Sequence, residues 1–131
     1  MYVANIMSTA IVTAAPWLPA TRLTELLVDE NVGALPVIDD DGNPLGIVTR
    51  ADVLEEDEAE YDGEATAEEL MRRAPITVTP TTPVAEAARL MTKQRVHHLL
   101  VVDGAGRLVG MVTTFDVVRW VAEVEGARPN H

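Results

Sequence analysis

Displaced by 64 residues, this chain lies on itself, and no other feature limits its possible folds so much. Met7, Thr13, Pro16, Pro19 and Leu26 fall on Met71, Thr77, Pro80, Pro83 and Leu90. The register then runs without a gap: Val32, Leu35, Val37, Asp39, Gly42 and Gly46 meet Val96, Leu99, Val101, Asp103, Gly106 and Gly110. Val48, Thr49, Asp52 and Val53 meet Val112, Thr113, Asp116 and Val117. Each copy alone is too short to close a strong core, so the two are expected to pack as a pair about a pseudo-twofold axis.

Punctuation inside each copy sets the order of elements. Ile11-Val12-Thr13 and Ile76-Thr77-Val78-Thr79 are short β-branched runs halted by Pro16 and Pro80, which predicts brief strands. A helix follows. Thr82 is placed to cap it, Pro83 suits its first position, and Val84, Ala87, Ala88 and Met91 share a face; Leu23, Leu26 and Leu27 do so in the first copy. Leu35-Pro36-Val37-Ile38 and Leu99-Leu100-Val101-Val102 have the continuous apolarity of strands buried on both faces. Turns rich in Asp and Gly then lead to Leu45-Gly46-Ile47-Val48 and Leu108-Val109-Gly110-Met111-Val112, and a closing helix begins after Thr49 or Thr113. The expectation is an α+β, sandwich-like fold of tandem β-α-β-β-α repeats: residues 1–57, an acidic linker 58–64, residues 65–125, and a tail 126–131. Thr66 with Glu69 predicts a capping box on a short helix leading into the second copy.

Charge narrows the function. The 131 residues carry a net charge of −11, which repels phosphate backbones and anionic lipid, so neither nucleic acid nor membrane is an expected partner. Up to Glu64 there are two basic residues and fourteen acids, whereas the remainder holds eight and seven. With no cysteine there is no disulfide, thiolate nucleophile or thiolate-bound metal, and no apolar run is long enough to span a bilayer, which predicts a cytoplasmic protein. No phosphate loop ending in Lys-Ser/Thr, zinc helix or nucleophile elbow occurs, so an enzyme is not expected; no metal site is expected either.

The remaining candidates are Thr49 with Asp52 and Thr113 with Asp116. A Thr followed three residues later by an acid at a strand-to-helix junction is what a cap requires. Capping does not explain why both copies place glycine three residues before the Thr, where close approach of a backbone or a ligand is the usual reason.

The doubled segments Gly46-Ile47-Val48-Thr49-Arg50-Ala51-Asp52 and Gly110-Met111-Val112-Thr113-Thr114-Phe115-Asp116, with Leu35-Pro36-Val37-Ile38-Asp39 and Leu99-Leu100-Val101-Val102-Asp103, resemble the cystathionine β-synthase (CBS) domain pair, or Bateman module. The resemblance covers nearly the whole chain. It implies a stand-alone regulatory module that binds an adenosine-containing ligand, AMP, ADP or ATP or else S-adenosylmethionine, with no required cofactor. Each aspartate would accept the ribose hydroxyls while the threonine and helix-start N–H groups face phosphate. One cleft would join Ile47, Thr49, Asp52 and Arg50 to Ile76, Val96, His97 and His98, and the other Met111, Thr113 and Asp116 to Val12, Val32, Gly33 and Ala34. Only the first has imidazoles near phosphate. Arg72, Arg73 and Arg95 would add to the positive field there. Ala51 and Phe115 stand where many relatives place a phosphate-touching Ser or Thr, so the Asp116 cleft is expected to be empty or to prefer a neutral adenosine-like group. The resemblance also implies a homodimer and an effector protein that receives the signal; Trp120, outside any motif, is the expected dimer contact because aromatic anchors are enriched at interfaces. A ligand-free dimerisation or docking module is the alternative.

Overall fold

The structure, a computed structural model, describes residues 1–54 and 64–127; the expected acidic linker before Glu64 and the last residues of the tail lie outside them. The elements are α1 (Ala20–Asp29), β1 (Ala34–Ile38), β2 (Pro44–Thr49), α2 (Arg50–Leu54), α3 (Ala67–Leu70), β3 (Arg72–Arg73), β4 (Thr77–Val78), α4 (Val84–Gln94), β5 (His98–Val102), β6 (Leu108–Thr113) and α5 (Thr114–Ala127). They make two three-stranded sheets, ordered β1-β2-β3 and β4-β5-β6. The chain divides into two compact units: Ile11–Pro75 with Gly106–Leu108, and Met1–Ala10 with Ile76–Ala105 and Val109–His131.

In the first of these units β1 and β2 are antiparallel, Leu35 opposite Val48 and Pro36 opposite Ile47, and β3 adds antiparallel to β2 with Arg72 opposite Ile47. Ala34, Leu35, Pro36 and Val37 are all buried, as a strand covered on both faces requires. Leu23 and Leu27 of α1 close on them, joined by Ala65, Ala67 and Leu70. The Thr66–Glu69 capping box forms as expected, the Thr66 N–H donating to Glu69 Oε1 at 3.0 Å. The expected strand at Ile11–Thr13 does not form: a single parallel bridge joins Ala14 to Val37. Ala14 and Ala15 stand where the other copy has Val78 and Thr79, and alanine lacks the β-branched packing that holds a strand.

In the other unit β4 runs parallel to β5, Thr77 opposite Leu100 and Val78 opposite Val101. Ala87 and Met91 of α4 pack with Leu99, Val101 and Val112, Val3 enters the same core, and Val84 is buried as well. The helix starts one residue later than the sequence suggests, with Pro83 as its N-cap, because the Thr82 hydroxyl accepts the Thr79 N–H at 3.1 Å and is used in the turn before it. The N-terminal segment is tied here by backbone bonds, Val3 N–H to the Thr82 carbonyl at 2.8 Å and Ser8 N–H to the Met111 carbonyl at 2.9 Å. Each copy's leading segment thus sits in the compact unit of the other copy: residues 1–10 with β4–β6, and residues 65–75 with β1 and β2.

Candidate ligand-binding site

Both Thr-x-x-Asp segments fold as reciprocal caps. Asp52 Oδ2 accepts the Thr49 N–H at 2.8 Å and its hydroxyl at 3.0 Å, while Asp52 N–H points back at Thr49 Oγ1 at 3.4 Å. Asp116 Oδ2 accepts the Thr113 N–H at 2.8 Å, and Asp116 N–H donates to Thr113 Oγ1 at 3.2 Å. One oxygen of each carboxylate is therefore spent on starting its helix, α2 or α5. The other oxygen has weaker company: Arg72 Nε lies 3.5 Å from Asp52 Oδ1, and an Arg119 terminal nitrogen lies 3.3 Å from Asp116 Oδ1. Both carboxylates are 12% exposed, but their guanidinium partners are 69% and 53% exposed, so water competes for those long ion pairs.

The paired glycines have a structural cause. A Cβ on Gly46 would stand 2.6 Å from the Arg72 carbonyl oxygen and 2.6 Å from Met71 Sδ; one on Gly110 would stand 2.6 Å from Met7 Sδ and 3.2 Å from the Ser8 carbonyl oxygen. In both copies the glycine makes room for a crossing backbone segment and its methionine. That also explains why Met7 and Met71 match in the repeat.

The other candidates separate by unit. Ile47, Thr49, Arg50, Asp52 and Val12 belong to one unit; Ile76, His97, His98, Met111, Thr113 and Asp116 belong to the other. Arg50 is engaged away from Asp52: its Nε donates to the Val32 carbonyl and a terminal nitrogen to the Leu27 carbonyl, each at 3.1 Å, tying down the end of α1. Val12 and Ile76 pack against their respective cores. Ile47 and Met111 are half-buried, each beside its unit's crossing segment. His97, just before β5, is exposed, and His98, the first residue of β5, is half-buried. Burial holds the His98 pKa below its ordinary value of 6.5, the His97 charge lowers it further, and the nearby Asp116 carboxylate opposes both. The His97 carbonyl accepts the Thr114 N–H at 3.0 Å, adding a bond at the start of α5.

Sequence reasoning missed Arg119 as the partner of Asp116, although an acid and a base three apart on a helix is a readable signal. It also missed a cavity of 360 Å³ beside Asp116, which α5 and the N-terminal segment line together. Among the described residues there is no cluster of three metal-ligating side chains, and no helix is long and apolar enough to cross a membrane.

Comparison with known proteins places these features in one family. The CBS domain profile matches residues 3–59 and again 67–123. The structure of CBSX2 in complex with AMP superposes with a TM-score of 0.87 at 30% identity, covering 95% of this chain and 98% of that one; CBSX2 comes from Arabidopsis thaliana. The CBS domain pair of protein MJ0100, in complex with 5′-methylthioadenosine and S-adenosyl-L-methionine, superposes with a TM-score of 0.85 at 30% identity, covering 95% and 98%. An L-aspartate semialdehyde sulfurtransferase of Methanocaldococcus jannaschii is 32% identical over 117 residues, 89% of this chain, which spans only 22% of that enzyme's length.

Proposed function

Because this chain belongs to the CBS domain family and carries two CBS domains, we propose that it is a non-catalytic sensor that binds an adenosine-containing ligand at its Thr-x-x-Asp segments and passes the signal to a partner protein. One observation carries the reading. In each copy the inner carboxylate oxygen is fixed by the helix start, so the side chain is already oriented, and among the described residues the outer oxygen is held only by an exposed guanidinium at 3.3 to 3.5 Å. A ribose diol offers that oxygen shorter hydroxyl donors, and the displaced arginine is left to face the ligand's phosphate or solvent. The complexes of CBSX2 with AMP and of the MJ0100 pair with S-adenosylmethionine support this choice of ligand class.

The test is a thermal shift and titration calorimetry series with AMP, ADP, ATP and S-adenosylmethionine. A ligand at about 100 times its dissociation constant stabilises the fold by about 2.7 kcal/mol. Asp52→Ala is expected to remove most phosphate-dependent affinity. No shift with any of the compounds would favour the second reading, a ligand-free dimerisation module. That reading has its own support in α5, which exposes Phe115, Val118 and Val121 on consecutive turns. We place the homodimer contact on that face and not on Trp120, whose indole nitrogen is buried. Val118→Glu is expected to convert a dimer to a monomer in sedimentation.

A further inference from the structure

We propose that the loop 16–19 and the segment crossing it form a docking surface for an arginine-bearing segment of a partner protein. The proposal rests on the reading above only for the existence of a partner and draws nothing from the adenosine site. Trp17 is 72% exposed, an unusual setting for a side chain that normally buries most of its surface. The loop beneath it is held still. Pro16 and Pro19 bracket it, the Leu18 N–H donates to the Ala15 carbonyl at 3.1 Å, and the carbonyls of Leu18 and Pro16 accept the N–H groups of Ala67 and Glu68 at 2.8 and 2.9 Å. The Ala20 N–H donates to the Ala65 carbonyl at 2.8 Å and closes this frame, all of which lies within one compact unit.

The repeat supplies an internal control. In the other copy the N–H groups of Val3 and Ala4 donate to the carbonyls of Thr82 and Pro80 at 2.8 and 2.9 Å, and that of Val84 to Met1 at 3.0 Å, so the same backbone frame is built a second time. There Thr81 stands in place of Trp17, Ala4 in place of Glu68 and Asn5 in place of Glu69. That frame exposes Tyr2, but its crossing segment, residues 1–5, holds no acid. The backbone therefore needs neither the indole nor the carboxylates, and only the first copy combines an exposed aromatic with acids. Glu64 accepts the Thr21 N–H at 2.7 Å, Glu69 accepts the Thr66 N–H at 3.0 Å, and Glu68 meets Arg73 at a loose 3.7 Å with both side chains well exposed. Each carboxylate keeps acceptor sites to offer. A guanidinium stacks on an indole face and pairs with carboxylates through its planar fork, so an arginine uses both features at once. Anionic lipid and a second copy of this chain are repelled, since up to Glu64 two basic residues face fourteen acids. Because the loop is fixed before contact, little ordering entropy is lost on binding.

Fluorescence anisotropy of a short labelled peptide of alternating arginine and glycine, titrated with the full chain, tests this, with its glutamate counterpart as the control. The arginine peptide should bind, more weakly as salt is raised, and should shift the tryptophan emission, whereas the glutamate peptide should not bind. Trp17→Thr, an exchange that the matching frame already accommodates at Thr81, should weaken the arginine peptide at least about tenfold, with folding checked by urea unfolding. Glu68→Gln should weaken it about threefold, and Glu86→Gln, on α4 in the other unit, should change nothing. A loss shared by Glu68→Gln and Glu86→Gln but absent from Trp17→Thr would mean diffuse charge attraction and would overturn the surface. So would a tryptophan shift with phosphatidylcholine vesicles in place of the peptide, a dimer in sedimentation that Trp17→Thr splits, or no binding of the arginine peptide. Those results leave the adenosine reading standing, and a thermal shift series without response sinks that reading while leaving this surface intact.

Discussion

The two copies solve one problem with different parts. Each must hold a helix-starting carboxylate next to a strand, and each uses the same Thr to do so, yet the cation on the outer oxygen comes from β3 in one and from the next turn of α5 in the other. Ser8 stands where the first site has Arg72, and Glu55 stands where the second has Arg119. At Asp52, displacing the arginine would loosen a tie to β3, in the leading segment of the second copy. At Asp116 the arginine is local, so the same displacement stays within one helix. A duplicated sequence therefore does not yield two equivalent sites, because the groups around the shared motif diverged while the motif's capping geometry did not.

The glycines should break that comparison most clearly. Gly46→Ala forces a methyl against a strand carbonyl that cannot retreat and is expected to cost about 3 kcal/mol, whereas Gly110→Ala presses chiefly on the flexible end of Met7 and should cost about 1 kcal/mol. Urea unfolding of the two variants would measure the difference, and equal losses would mean that Met71 and Met7 alone set the cost. Asp52→Ala and Asp116→Ala should each lose about 1 kcal/mol through the lost caps, again by urea unfolding.

A smaller contrast lies at the ends of α1 and α4. Asn31 and Arg95 occupy the same repeat position with φ of 51° and 56°, a conformation that costs arginine more than asparagine. Arg95→Gly should gain about 0.5 to 1 kcal/mol, and Asn31→Gly close to nothing, in the same assay. The smallest effect is expected from Arg72→Ala and Arg119→Ala, below about 0.5 kcal/mol each and vanishing in high salt, because both guanidinium groups are exposed.

His98 adds a pH dependence to one copy only. Its folded pKa lies below the ordinary 6.5, so between those two values the unfolded chain holds more protons. Stability is complete above about pH 6.5 and declines as pH falls toward the folded value. His98→Gln should flatten that decline in a series of denaturation curves; an unchanged slope would place its origin elsewhere. Gly33, Ala34 and their neighbours offer no equivalent titration in the other copy.

Much of this was readable from the residues. The repeat, the buried strands Leu35–Val37 and Leu99–Val101, the Thr66–Glu69 box and the Asp-Gly turns are local signals, set by propensity and hydrogen bonds within a few residues. The turn at Asp39 is typical: its Oδ1 accepts the N–H groups of Asp41 and Asn43 at 2.9 Å each, with Gly42 at φ 86°, and the Asn43 N–H contributes most to holding the Asp39 carboxyl below its ordinary pKa. The strand expected at Ile11–Thr13 shrank to the single Ala14–Val37 bridge because Ala14 and Ala15 bring no β-branched side chain to extend it.

Tertiary structure decided the rest. Which segment crosses Gly46 and Gly110, which arginine reaches Asp52, that Arg50 turns to the end of α1, and that Asn5 and Trp120 line one cavity all depend on residues brought together from 18 to more than 100 positions apart. Hydrophobic periodicity records which face of an element is buried and says nothing about what buries it. The sequence by itself determined two caps and two cores; the folded chain alone determined which charges gather around them, since side-chain contacts of that range leave no periodic trace.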